Sequence, residues 1–174
     1  GKATVKNSGT FSKLIIDNAK KLSEYATGNT IVVNDDRLTF KTAKGSKISK
    51  LAIKSKSGKI TIGNKGIISK LNVGGSTAID LAQNGRIGRI TLSAPTELNI
   101  SGKAASKTYI TVKTAAAGTV ITSSVPVGAR LYGSAALVLK KGAERSAAAL
   151  KRAAAEASVE NNPTASVPQI PFII

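Results

Sequence analysis

The sequence contains no cysteine, histidine, methionine or tryptophan, and only three tyrosines and three phenylalanines among 174 residues. Each absence excludes something. Without cysteine there are no disulfides, no Cys-ligated zinc and no thiol nucleophile. Without histidine the commonest general acid/base and the imidazole metal ligand are gone as well. The scarcity of aromatics argues against a thick globular core and for a narrow one of Ile, Leu, Val and Ala. Acidic residues are few too, nine Asp and Glu against 26 Lys and Arg, for a formal charge of +17. No run approaches the ~18 apolar residues of a membrane-spanning helix, so no membrane span is expected. The chain opens on Gly1 without Met, which suggests removal of a signal peptide or trimming.

What is present is a repeat. Between Ser49 and Ile100 a short alternating strand beginning at Leu51 returns at Leu71 and again at Ile90, and a second, beginning at Ile60, returns at Ile79 and Leu98. A step of about 19–20 residues on two independent tracks marks a solenoid. The first track extends upstream to Leu14 with Ile16 and Ile31 with Val33, and downstream to Ile110 with Val112 and to Leu131. The second takes in Leu38 with Phe40, then Val120 and Leu137. A third apolar element recurs between them, at Ile67-Ile68, Arg86-Ile87-Gly88 and Val125-Pro126-Val127, and glycines such as Gly58, Gly74, Gly85 and Gly102 mark the corners.

Each unit is too small to make a core alone, and stacking is what buries its inward pairs. The chain is therefore expected to be all-β, a single parallel β-helix (β-solenoid) of about seven three-sided coils over residues 1–141, about 30 Å long. The lack of a strict six-residue repeat points to a right-handed coil.

After Leu139 the alternation stops. Residues 142–158 are rich in alanine, with Leu150 as the one large apolar side chain, and predict a C-terminal helix that caps or spaces. Residues 159–174 read as a linker followed by a hydrophobic docking tail, in which Val167, Ile170, Phe172, Ile173 and Ile174 would gain about 1.5–3 kcal/mol each on full burial. Such a tail suits either a fold-back along the rod or a clasp on the next copy, and a head-to-tail contact of the second kind generates a filament.

The positive charge is placed with some order. Lys13, Lys50, Lys70, Arg89 and Arg130 each sit just before an inward residue of the first track, three of them in Ser-Lys-Leu triplets. A row of this kind would repel by about 1 kcal/mol per neighbouring pair in water. It also matches a linear polyanion, and the five residues are the candidate polyanion-binding set. Nucleic acid is the weaker candidate partner, because lysines far outnumber arginines and stacking aromatics are scarce.

Catalytic equipment is thin. Asp35 and Asp36 are adjacent and would point to opposite faces of a strand, and the remaining carboxylates are scattered over separate coils or the C-terminal region. No metal site, cofactor or P-loop is indicated: Gly58-Lys59 runs into Ile60 and Gly102-Lys103 into Ala104. Outward positions reading Thr61, Asp80 and Asn99 do not form the uniform threonine plane of an ice-binding face.

The repeats SKLAIKS, SKLNVGG and GRITLSA, with the intervening ITIGNKG and ELNISGK strands, resemble the β-helical segments of bacterial secreted and S-layer-associated surface proteins. The resemblance covers residues 1–141 and implies an extracellular or cell-surface location. It implies no functional residue. The expected function is a non-enzymatic structural subunit that polymerises with copies of itself, with a monomeric binder of anionic polysaccharide or cell-wall polymer as the alternative.

Overall fold

The computed structural model describes residues 2–125, 127–131 and 136–139, the last four and residues 128–131 by backbone alone. The helix expected over 142–158 and the tail with Val167, Ile170, Phe172, Ile173 and Ile174 lie outside the described residues.

The chain is a parallel β-solenoid. Its first two coils consist of β1 (Ala3–Asn7) with β2 (Leu14–Ile16), then β3 (Ala19–Glu24) with β4 (Thr30–Val33). The third has β5 (Arg37–Thr42), the two-residue β6 (Lys47–Ile48) and β7 (Lys50–Ile53). Three longer-stranded coils follow: β8 (Lys59–Asn64) with β9 (Ile67–Val73), β10 (Thr77–Gln83) with β11 (Arg86–Leu92), and β12 (Thr96–Ser101) with β13 (Tyr109–Val112). The last described strands are β14 (Val120–Ser123), β15 (Gly128–Leu131) and β16 (Ala136–Leu139). One sheet runs β1-β3-β5-β8-β10-β12-β14-β16 and the other β2-β4-β7-β9-β11-β13-β15, with every pairing parallel.

Register stacks like on like. Leu22, Phe40, Ile62, Leu81 and Ile100 are successive partners in the first sheet, and Ile31, Leu51, Leu71, Ile90 and Ile110 in the second. All ten are buried. Because side chains alternate across a strand, one inward column fixes the whole outer face. Val5 and Leu14 of the first coil pack only partly, having a neighbouring coil on one side.

The second track departs from expectation at its far end. Leu98 pairs with Ile121, which is buried, whereas Val120 pairs with Glu97 and is exposed. The inward partner two residues on is Ser123, so the apolar pair that would have marked the true register is missing. The third side also differs. In β9 and β11 it continues into the second sheet as one strand, and among the described strands β6 alone stands apart, pairing Lys47 with Ile67 and Ile48 with Ile68. Ile48, Ile68 and Ile87 carry the core along this side.

A second inward column is polar. Asn7, Glu24, Thr42, Asn64 and Gln83 are aligned by register at the corner after the first sheet, and all are buried. Their hydrogen bonds close on themselves and on the turns. The Glu24 carboxylate accepts from Asn7 Nδ2 at 2.9 Å, the Ala26 amide at 2.8 Å and Asn29 Nδ2 at 3.2 Å. Thr42 Oγ1 donates to Asn64 Oδ1 at 2.6 Å and accepts from the Lys65 and Gly66 amides, both at 2.9 Å. Gln83 Oε1 accepts from Thr108 Oγ1 at 2.6 Å. Among the described residues no buried side-chain polar atom lacks a partner. Replacing Thr42 with Val strands two backbone donors, and urea unfolding should show a loss of about 2–4 kcal/mol; a loss under ~0.5 kcal/mol would mean water or a shifted turn supplies the acceptor.

Candidate polyanion-binding face

The inward residues of the second sheet determine where the basic side chains go. Leu51, Leu71 and Ile90 point inward on successive rungs, and the residues before them, Lys50, Lys70 and Arg89, are exposed and stacked. Neighbouring rungs lie about 4.8 Å apart. Continuing the row towards the N-terminus, Lys50 pairs with half-buried Thr30, and Lys13 lies one rung beyond it, since Leu14 pairs with Ile31. In the other direction the row passes to Tyr109 and Gly128. Arg130 pairs with Thr111, two positions further along the strand, and stands outside the row.

A second row runs beside the first. Ile67 pairs with Lys47 on one side and Arg86 on the other, and both basic residues are exposed. Lys47 and Lys50 lie three residues apart on one coil, as do Arg86 and Arg89 two coils away, with Lys70 between them. The sequence pattern carried the signal: Lys47 and Arg86 precede the inward residues Ile48 and Ile87 just as Lys50 and Arg89 precede theirs. No Asp or Glu occurs in β6, β7, β9 or β11. The ion pairs between described residues, Lys2 with Asp35 and Lys59 with Asp80, both lie elsewhere. A face of this composition attracts anions and has no counter-charge within its own strands to satisfy it.

Most carboxylates of the described coils are occupied by structural contacts, the exposed Glu97, with only Asn99 Nδ2 at 3.5 Å, being the exception. Asp35 is buried, accepting from the Ala19 amide at 2.9 Å and from Lys2 Nζ at 3.1 Å. Asp36 faces outward and accepts from Ser55 Oγ at 3.0 Å. Asp17 accepts from Asn34 Nδ2. Among the described residues no group of three His, Cys, Asp or Glu could hold a metal ion, and no helix is long and apolar enough to cross a membrane.

Asp80 sits on the outer face of the first sheet with Lys59 Nζ 2.6 Å away and Asn99 Nδ2 at 3.2 Å. The hydrogen bond from Lys59, followed by that from Asn99, holds its carboxyl below the usual aspartate range, and the same contact raises Lys59. The two shifts act at opposite ends of the pH scale. The Asp80 contribution is present above its ordinary pKa and is lost as pH falls through the lowered value; that of Lys59 is lost as pH rises through the raised one. Both groups are well solvated, so the gain is small. Carboxyl-carbon NMR should find the Asp80 midpoint below the ordinary range, moving up in Lys59→Met; a midpoint at or above that range in the unsubstituted chain would contradict the pairing.

Comparison with protein-family models, with curated proteins and with solved structures returns no match.

Proposed function

We propose that this solenoid is a non-enzymatic scaffold that binds a linear anionic polymer along its two basic rows, in an extracellular, cell-surface setting. One observation carries the reading: Lys47, Lys50, Lys70, Arg86 and Arg89 occupy consecutive coils on one side with no carboxylate among their strands. A rigid ladder of charge favours a ligand whose own charges repeat, because several contacts form without ordering a loop. Lysine ammonium groups act as point charges and do not demand the bidentate geometry that arginine gives phosphate or guanine. An acidic polysaccharide or anionic cell-wall polymer fits that chemistry better than nucleic acid does. The non-enzymatic part of the reading is supported by the structural occupation of the Asp17, Asp35 and Asp36 carboxylates.

Titration of the chain with polygalacturonate tests this. Binding should weaken steeply between about 50 and 200 mM NaCl, as contacts that release counterions do. Salt-independent binding, or none at low salt, would overturn the reading. A filament of stacked copies is the second reading, favoured by the apolar content of Val167, Ile170, Phe172, Ile173 and Ile174. Light-scattering mass of the full chain against one ending at Ser158 separates the two, since only the filament reading requires loss of assembly on truncation.

A further inference from the structure

A second basic feature lies around the corner, on the outer face of the first sheet. Lys21, Tyr25, Lys41, Ala43, Gly63 and Lys65 line an open concavity of about 390 Å³, within the ~300–1,000 Å³ range of small-ligand clefts. Register explains the hollow. Lys41 pairs with Ser23 on one side and Gly63 on the other, so the outward column falls to no side chain where β8 passes. Ala43 lies on the adjacent column with its amide bonded to Glu24 O at 2.9 Å. Small residues thus make the floor, while three lysines and an aromatic ring make the rim. Among the described residues, no carboxylate lines it.

The rim is held from below. The buried Thr42 hydroxyl fixes the amides of Lys65 and Gly66, and the Tyr25 amide donates to Asn7 O at 2.9 Å. Glu24, next to Tyr25, is tied by three donors. The backbone of Tyr25 is held in this way while the residue is 52% exposed, so its ring is an uncovered platform on an anchored strand end. A ring with an apolar face and a polar tip, beside convergent cations, suits a ligand that has both an apolar face and a negative charge.

We propose that this concavity is a subsite for one acidic pyranose unit of an anionic polysaccharide. The sugar stacks on Tyr25, and its carboxylate or sulfate pairs with Lys21, Lys41 and Lys65. Single-stranded nucleic acid is the less suited occupant, because it uses successive stacking platforms and this groove offers one. The inference deepens the polyanion reading by naming the ligand's chemistry, yet it rests on residues that the two basic rows do not contain.

The experiment uses Tyr25→Trp, which places the chain's one tryptophan on the platform. Its emission is followed on adding trigalacturonate, a sulfated trisaccharide, a neutral trisaccharide or oligothymidylate. The acidic trisaccharides should shift and quench the emission and the neutral one should not; whichever acid acts at lower concentration identifies the anionic group. Lys41→Glu and Lys65→Glu, each added to the Tyr25→Trp chain, should weaken binding about tenfold. Gly63→Leu fills the hollow without changing charge, its Cβ meeting Lys41 Cγ at an ordinary 3.6 Å, and an unchanged urea midpoint checks that the fold is kept. It should abolish the response. No response to either acid, an equal response to the neutral sugar, or tighter binding of oligothymidylate would overturn the subsite. Loss of polygalacturonate binding in Lys50→Glu/Lys70→Glu, with no emission change in the Tyr25→Trp chain, would remove the subsite and leave the basic rows standing. An emission response to the acids, with polymer binding indifferent to that lysine pair, would do the reverse.

Discussion

Reversing Lys50, Lys70 and Arg89 together to Glu should lower the affinity for a linear anionic polymer by about a thousandfold at low salt. The size follows from counting each change twice: an attraction is removed and a repulsion of similar strength replaces it, about tenfold per exposed site. The three positions lie on consecutive rungs, so one polymer strand meets all of them. Raising the salt should shrink the difference, since exposed charges are screened within about 8 Å at physiological ionic strength. Stability should change little, because three stacked carboxylates repel one another much as the three cations did, while Lys47 and Arg86 beside them gain opposite charges. The control is Lys54→Glu/Lys56→Glu, the same change of sign at exposed positions past the far end of β7. If that pair costs as much per residue as the row, total charge and not placement governs binding, and the ladder has no special role.

The second large effect is on the fold. Gly58→Ala should destabilise the chain by about 3–5 kcal/mol, a large share of the stability of an ordinary domain. Gly58 has φ +76°, which costs an L-residue about 1–2 kcal/mol. A Cβ there would also lie 2.1 Å from the carbonyl oxygen of Asp36. That oxygen cannot simply withdraw, because it accepts the Lys59 amide at 2.8 Å, while Gly58 O accepts the Ala78 amide at 3.1 Å. The corner therefore joins three coils through backbone hydrogen bonds, reinforced by the Thr77 hydroxyl, which donates to Gly58 O at 3.2 Å. Gly45 separates the two causes: its φ is +88°, with no described atom within 4 Å of the added carbon. Gly45→Ala should cost only the ~1–2 kcal/mol of backbone strain. Urea midpoints that came out equal for the two variants would show that the coils slide apart at no cost.

The period, the parallel pairing and the inward columns of the central coils were legible because Leu51, Ile60, Leu71, Ile79, Ile90 and Leu98 combine strict alternation with a near-constant step. The ends were harder to read for a physical reason. In β1 and β3 the inward positions are Val5, Asn7, Ala19, Leu22 and Glu24, where buried polar residues take places that alternation reserves for apolar ones. The Asn7–Gln83 polar column is invisible to hydrophobic patterning, since its members look like corner residues until register aligns them. Val120 and Arg130 misled in the same way. An apolar residue next to the true inward one, or an alanine at the register position opposite a core residue, as Ala129 pairs with Ile110, moves the apparent register by one or two places. The groove at Tyr25 could not have been found from sequence at all. Its lining comes from four coils once Asn84 is included, and its depth depends on Gly63 standing opposite Lys41.

The most direct test of the central claim is an NMR titration of the isotope-labelled full chain with polygalacturonate at low salt, reading lysine ammonium, arginine guanidinium and backbone amide shifts together. If a polyanion lies along the two rows, the perturbations concentrate at Lys47, Lys50, Lys70, Arg86 and Arg89 and in the amides of β7, β9 and β11, and they saturate at one ratio. Perturbations spread evenly over every lysine, or absent from those five residues, would contradict it.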